Sequence, residues 1–594
     1  MIDKYKWLYH LFPFLGWIGE LKDSKVLRAD ILAGITVSLV LIPQSMANAQ
    51  LASLPPYYGL YAAFLPPIVA ALFGSSRQLS TGSVALVSLM TAAALQPIVA
   101  FDHEDYIAYT ILLAFMVGVM QLAFGLLRLG ALVNFLSQPV VLGFTNAGAI
   151  IIGTSQIDLI FGVQVPSGGP HYMRVWHTLE QAVFNTHWPT LSMAILAFVI
   201  IGGLRKFAPR LPGILLAVVV TTLIAWITEF ESRLGGSVIG HIPRGIPDFS
   251  VPQFDFDVMR GLLSSALTIA LIGYVGTISI AKAMATQTRQ RILSNRELLG
   301  QGLSNILGSF FLSHPVSGSF ARSAVNLRAG AQTGFSSVVA VGVVVVILLW
   351  LTPLLYHLPA ATLAAIIMMS VLGLVQVKPI VRMWRGHRHD GLVAVVSFAL
   401  TLLAAPHLDV GIVIGAGLSL VLYLYRTMKP RAVVLSRHPD GALRDAITHG
   451  LEVCEVMAML RFDGSLYFGS AGAFEDMMLE RVAQNPHLRY VIVDAEGINQ
   501  LDATGEEMLV GVVQRLREAQ VEVLFSGTKK QVMDVLTGTG SLEQLGQERF
   551  FATSDRAIQS VWAKLDGSFS CHHVCPGECP LHRTKPTGAV FYRV

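Results

Sequence analysis

Two short runs of glycine and hydroxyl residues stand out for what their backbone can do. Ser80-Thr81-Gly82-Ser83 opens one apolar stretch rich in small residues, and Val316-Ser317-Gly318-Ser319 opens another. A helix that begins inside a membrane leaves its first N–H groups without partners. Its dipole puts partial positive charge at that same end. Two such ends facing each other would form an anion trap built largely from backbone. The hydroxyls of Ser83 and Ser319 would add donors. The alternative is that Gly and Ser here only let helices pack closely. Arg322 follows Ser319 by about one helical turn. A cation within a membrane segment is costly and faces a cavity or a partner. Arg322 is therefore an attracting charge beside the trap, or an anchor snorkelling outward. Gln44 and Asn48 follow Pro43, which should interrupt its helix, and fall one turn apart on one face. They are pocket groups or interhelical hydrogen-bonders.

The elements that must position these residues follow from composition. The chain has 594 residues, 53% of them hydrophobic and only 13% charged, about half the charge of a soluble globular protein. The first 430 residues hold 26 basic and 17 acidic residues, and the rest hold 16 and 21. This excludes a single soluble domain and a disordered polyelectrolyte. It predicts a membrane domain over 30–430, preceded by an interfacial region over 1–29 and followed by a soluble domain. The net charge of +4 gives no case for nucleic-acid binding. The N-terminal stretch lacks the pattern of a cleaved signal peptide. It reads as an interfacial helix anchored by Trp7, Phe12, Phe14 and Trp17.

Fourteen apolar segments can be read between residues 30 and 426. Lys and Arg collect in alternate connections, among them Arg77, Arg128, Arg205 with Lys206, Arg289 with Arg291, and Arg382 with Arg385. By the positive-inside rule both termini are cytoplasmic. The two hydroxyl-glycine motifs open the third and tenth segments, so each lies third in a set of seven. Seven is odd, so the second set, 258–426, must be inverted relative to the first, 30–229. Paired short, Gly-interrupted segments mark a transporter's midplane site.

The stretch IPQSMANAQLASLPPYYGLYAAFLPPIVAALFGSSRQLSTGSVALVSLMT resembles the sulfate permease (SulP) anion transporters, the family of pendrin and prestin. So does SNRELLGQGLSNILGSFFLSHPVSGSFARSAVNLRAGAQTG. The resemblance implies a polytopic α-helical membrane protein with a core and a gate, like the uracil transporter. Segments 1–4 and 8–11 would form a core that moves as an elevator, with the anion between segments 3 and 10. On the family pattern Gln44, Asn48, Ser83, Val84, Ser319, Phe320 and Arg322 line the pocket. Two positions depart from that pattern. Many relatives have Pro at Ser83 and an aromatic at Asn48, so this pocket should be more polar. Many bacterial and plant members carry an acidic residue in segment 8, where this chain has Gly276. With no carboxylate in mid-segment, proton or sodium coupling is not expected.

From Val453 short apolar strands alternate with helical patterns, which suggests a sheet covered by helices. The stretch VIVDAEGINQLDATGEEML resembles a STAS domain, expected over 440–566. Resemblance to anti-sigma antagonists makes Thr504 a candidate phosphorylation switch; as a helix N-cap it would be purely structural. Cys571, Cys575, Cys579 and His582 crowd into the remaining tail, 567–594. Thiolate and imidazole at such intervals suit zinc or an iron–sulfur centre, though the spacing matches no standard zinc finger. A redox-sensitive tail is the alternative. Transport itself needs no cofactor.

The expected function is secondary active transport of an inorganic anion, sulfate first, across the inner (plasma) membrane. The alternatives are bicarbonate/chloride or dicarboxylate exchange, an uncoupled anion channel, and a transceptor signalling through the STAS domain. A homodimer joined through the STAS and membrane domains is expected. No nucleophile–base pair, P-loop or dinucleotide motif points to an enzyme.

Overall fold

A computed structural model describes residues 12–99, 104–130, 137–165, 170–208, 211–405, 407–565 and 581. The chain divides into two compact units, Met1–Ser419 and Leu420–Val594.

In the first unit, α1 (Ser24–Leu51) is followed by α2 (Tyr57–Ala62) and α3 (Pro66–Phe73). Strand β1 (Thr81–Gly82) leads into α4 (Ala85–Leu95), and α5 (Glu104–Leu126) follows. The long fifth segment resolves into α6 (Gln138–Thr154) and α7 (Ile157–Phe161). Next come α8 (His171–Asn185), α9 (Trp188–Phe207) and α10 (Gly213–Ile227). The second repeat starts with α11 (Phe256–Thr288) and α12 (Ser294–Ser309). Strand β2 (Ser317–Gly318) leads into α13 (Phe320–Arg328), and α14 (Phe335–Val346) continues through a π-helical turn at Ile347–Leu351. It closes with α15 (Ala360–Val371), α16 (Val377–Gly386), α17 (Arg388–Ala404) and α18 (Asp409–Met428), the last of which runs on past Ser419 into the second unit. Among the described residues seven helices are long and apolar enough to span a bilayer, and shorter apolar ones lie among them.

The packing sorts these helices into two groups. α5 lies against α12 and α11, and α14 lies against α1. In the other group α6 packs on α17, and α9 on α10 and α15. The α5–α12 crossing is close because it is lined by glycine. A Cβ on Gly118 would stand 2.6 Å from the Ile306 nitrogen, and one on Gly302 would stand 2.6 Å from the Leu122 nitrogen.

Three local expectations change. α1 runs unbroken through Pro43; packing on both sides holds the helix despite the hydrogen bond that proline removes. Within the described residues the N-terminal stretch forms a short helical turn, Leu15–Ile18, and a 3-10 turn, Gly19–Lys22, while Trp7 lies outside them. Trp17 is buried there rather than offered to lipid, and Phe12 and Phe14 pack on Phe73 and Trp17. Asp30 lies inside α1 and is fully buried. Its carboxylate accepts hydrogen bonds from the Gln332 and Thr333 nitrogens at 2.7 and 3.1 Å. Glu297, equally buried, accepts from the Ser75 and Ser76 nitrogens at 2.7 Å each. Both carboxylates fasten connections of the opposite repeat, so their charge is spent locally.

The second unit holds a six-stranded sheet in the order β4-β3-β5-β6-β7-β8. Its strands are β3 (Arg431–Arg437), β4 (Leu443–Asp445), β5 (Met457–Asp463), β6 (Tyr490–Asp494), β7 (Glu522–Ser526) and β8 (Phe550–Phe551), with the short helix α19 (Ala446–His449) after β4. β5 to β8 run parallel, and β3 pairs antiparallel with β4 and β5. Alternation along β5 separates two cores. Ala458, Leu460 and Phe462 face one core with α20 (Ala471–Gln484), α21 (Ala503–Glu518) and α22 (Lys530–Thr539). Met457 and Met459 face the other with a C-terminal helix, Ser554–Lys564. The sheet begins at Arg431, ahead of the strands that the sequence pattern suggests.

Candidate functional site

The two hydroxyl-glycine motifs meet. β1 and β2 pair antiparallel, Thr81 opposite Gly318 and Gly82 opposite Ser317. The pairing extends by one bond, from the Ser319 nitrogen to the Ser80 carbonyl at 2.9 Å. Each strand then turns into a half-helix. At about 1.5 Å per residue, the 11 residues of α4 and the 9 of α13 span about 16 and about 14 Å. Each is roughly half the hydrocarbon thickness. Two helices hold the strands. Asn305 of α12 bonds both the Val316 nitrogen (2.8 Å) and carbonyl (3.1 Å). Thr277 of α11 accepts from the Gly318 nitrogen at 3.0 Å. Ser317 Oγ donates to the Gly273 carbonyl at 2.8 Å.

Arg322 lies in the first turn of α13 and points inward rather than snorkelling. It is 1% exposed and is the largest fully buried side chain among the described residues. Its Nη1 donates to the Ser83 carbonyl at 2.8 Å, while Nε and Nη2 have no partner. No carboxylate faces it among the described ion pairs. Gly82 makes room, with φ +149° and a hypothetical Cβ 3.1 Å from Nη2. The Ser83 carbonyl also accepts from Asn48 Nδ2 at 2.9 Å.

Asn48, Ser83 and Arg322 are thus joined by hydrogen bonds. Gln44 stands one turn before Asn48, buried and with no side-chain hydrogen bond among the described residues. Val84 is the uncapped start of α4, so the first N–H groups of that helix are left open. Ser319 caps α13, its Oγ accepting from the Arg322 nitrogen at 3.5 Å. Phe320 begins α13 and is 58% exposed. A buried guanidinium with two free nitrogens between two half-helix starts can attract an oxyanion and donate to it.

One residue of this cluster went unnoticed in the sequence. His314, in the turn before β2, is 1% exposed, and its Nε2 lies 2.7 Å from Ser83 Oγ. Only its place two residues ahead of the second motif could have flagged it.

Thr504 is not the N-cap of α21. Asp502 holds that place in an extended conformation, its carboxylate accepting from the Gly505 nitrogen at 2.8 Å. Thr504 lies inside the first turn with its side chain exposed. The carboxylate wins because Asp502 alone has the non-helical backbone a cap requires. Cys571, Cys575, Cys579 and His582 lie outside the described residues. Among the described residues no group of three His, Cys, Asp or Glu is placed to hold a metal.

The comparisons with known proteins agree with this architecture. The sulfate permease family model matches residues 27–397, and the STAS domain model matches residues 450–557. The chloroplastic sulfate transporter 4.1 of Arabidopsis thaliana is 33% identical over 573 residues, 93% of this chain and 83% of the relative. The murine Solute Carrier 26 family member A9 anion transporter, in its inward-facing state, superposes with a TM-score of 0.86 at 23% identity. That match covers 94% of this chain and 95% of the other. The transmembrane domain of the cyanobacterial bicarbonate transporter BicA gives a TM-score of 0.57 at 26% identity, covering 66% and 97%. With helical repeats, paired half-helices and a C-terminal sheet domain all in place, this chain belongs to the sulfate permease family, whose members are membrane transporters rather than enzymes.

Proposed function

We propose that the protein is a secondary active transporter of inorganic anions, with sulfate its foremost substrate. The observation that carries this reading is Arg322, buried with two unpaired guanidinium nitrogens where two half-helix N-termini converge. The anion sits between α4 and α13, reached by Arg322, the open amides after Val84 and the hydroxyls of Ser83 and Ser319. Gln44 and Asn48 border it from α1, with Phe320 on the rim. The core helices carry the site past the gate helices as an elevator. The naming of the Arabidopsis relative as a sulfate transporter supports sulfate over other oxyanions.

The protein lies in the inner (plasma) membrane with both termini cytoplasmic, a reading supported by the alternation of Lys and Arg. It works as a homodimer. Bicarbonate exchange is the second reading, favoured by the fold shared with BicA.

Purified full-length protein in liposomes, tested against a competition panel of labelled sulfate, bicarbonate, chloride and dicarboxylates, checks the proposal. Saturable sulfate uptake that the other anions compete away only weakly is the expected result. Saturable exchange of bicarbonate or chloride with no sulfate uptake would transfer the site to the second reading. Large unsaturated anion currents would make it a channel, and an absence of all flux would leave only STAS signalling.

A further inference from the structure

His314 is buried at the anion site yet takes no part in the binding scheme above. Its Nε2 lies 2.7 Å from Ser83 Oγ, and its Nδ1 has no partner. The Ser83 hydroxyl in turn lies 3.4 Å from Ser88 Oγ in the first turn of α4. The one residue therefore offers its carbonyl to Arg322 and its hydroxyl to His314.

Other ionisable groups on the surrounding elements are occupied or peripheral. Glu297 on α12 is committed to Ser75 and Ser76, and Asp30 on α1 to Gln332 and Thr333. Tyr106 on α5 donates to the Ala52 carbonyl, and Tyr274 on α11 to the Ser294 carbonyl. Glu104 and Asp105 lie in the first turn of α5, and Tyr57, Tyr58 and Tyr61 on α2 cluster with one another. Asp257, Arg260 and Lys282 lie toward the ends of α11, and α3 and α4 carry no ionisable side chain. Arg322 is the charge that shares Ser83 with His314.

The charges then fix how the site must behave. With the site empty, an imidazolium would add a second unpaired cation beside Arg322 in a low-dielectric setting, which is costly. A bound dianion cancels Arg322 and leaves one negative charge over. One proton on His314 cancels that remainder. The proton also changes what Ser83 offers. A neutral ring accepting at Nε2 takes the Ser83 hydroxyl proton, whereas an imidazolium donates from Nε2 and frees that proton for an anion oxygen.

We propose that His314 is the positioning residue that couples anion to proton: neutral in the empty site, and protonated when a dianion is held beside Arg322. The proton comes from water and forms only an N–H bond, so each dianion moves with one proton. This inference rests on the anion-site reading above. It departs from the expectation of no proton coupling, which considered carboxylates alone.

Linkage makes the test direct, since a ligand that draws in one proton binds up to about tenfold tighter for each pH unit lowered. Sulfate binding and sulfate-induced proton uptake are measured in weak buffer on the purified full chain, between about pH 5.5 and about pH 8, a range spanning the imidazole titration. The wild type is expected to bind sulfate more tightly as pH falls, with proton uptake. His314→Gln is expected to bind more weakly at acid pH, with an affinity that changes less than about twofold over the range and no proton uptake. Sulfate binding by the wild type without proton uptake would overturn the proposal and leave the anion site standing. A coupled His314→Gln would do the same. If that variant does not fold, His314→Asn takes its place, and the wild-type measurement still decides. Failure of the wild type to bind sulfate at any pH would remove the sulfate reading and this inference with it.

Discussion

Arg322 Nη1 donates to the carbonyl of Ser83 at 2.8 Å, across 239 residues of sequence. The bond ties a side chain of the second repeat to the backbone at the mouth of the first repeat's half-helix. It uses one of three guanidinium nitrogens and leaves two for a ligand.

Replacing Arg322 should therefore strike anion affinity before folding. Arg322→Ala is expected to lower the affinity for sulfate by about tenfold to a hundredfold, the range of a lost charge-assisted hydrogen bond at 1.5–3 kcal/mol. Arg322→Lys should recover part of this, since an ammonium keeps the charge but not the planar fork. Saturation uptake into liposomes reads both. An unchanged half-saturation concentration in the alanine variant would take Arg322 out of the site.

Glycine is required at one position and dispensable at another. Gly82 has φ +149° and a close approach to Arg322, so Gly82→Ala should destabilise the protein by about 1–3 kcal/mol and impair transport. Gly276 sits within α11, where a Cβ would meet nothing within 4 Å. Gly276→Ala should hold or raise the melting temperature, because alanine costs a helix less than glycine by about 0.5–1 kcal/mol. Thermal melts of the two variants in detergent compare them directly.

In the STAS domain the cap and the candidate switch are separate residues. Asp502→Ala should weaken the start of α21 by about 1 kcal/mol, seen as faster hydrogen exchange at Gly505. Thr504→Ala should leave that exchange unchanged. If cell-purified protein never carries phosphate at Thr504 by mass spectrometry, the switch has no basis.

Acid should loosen the β3–β4 hairpin. Asp445 has its carboxyl pushed down to about 2, chiefly by the Thr448 hydroxyl and then by Arg431. A depressed carboxyl stabilises the folded form above its unfolded value of about 3.9. That contribution disappears as pH falls toward about 2. Exchange at Ile447 and Thr448, whose amides Asp445 accepts, should quicken over that window. Asp445→Asn should show no such acid dependence.

Much of this was legible in the sequence because it is periodic or locally paired. Apolar length gave the helices, the hydroxyl-glycine motifs gave the half-helix starts, and alternation from Val453 gave the parallel strands. What escaped depends on distant partners. Nothing near His314 announces that it meets Ser83, 231 residues away. Nothing local marks Asp30 or Glu297 either, yet each is buried against a connection of the other repeat. Thr504 and Asp502 are both residue types that cap helices. Only the backbone angle separates them.

The crossing of β1 and β2 has one more consequence. The offset that matches Ser83 to Ser319 also matches Gly82 to Gly318, but it sets Leu86 against Arg322. The duplicated halves thus supply a twofold frame and a lopsided lining, oily in one copy and cationic in the other. If the proposed site holds an anion, its pull lies off the axis of the frame, toward the second half. The frame keeps the symmetry that the lining of the proposed site lacks.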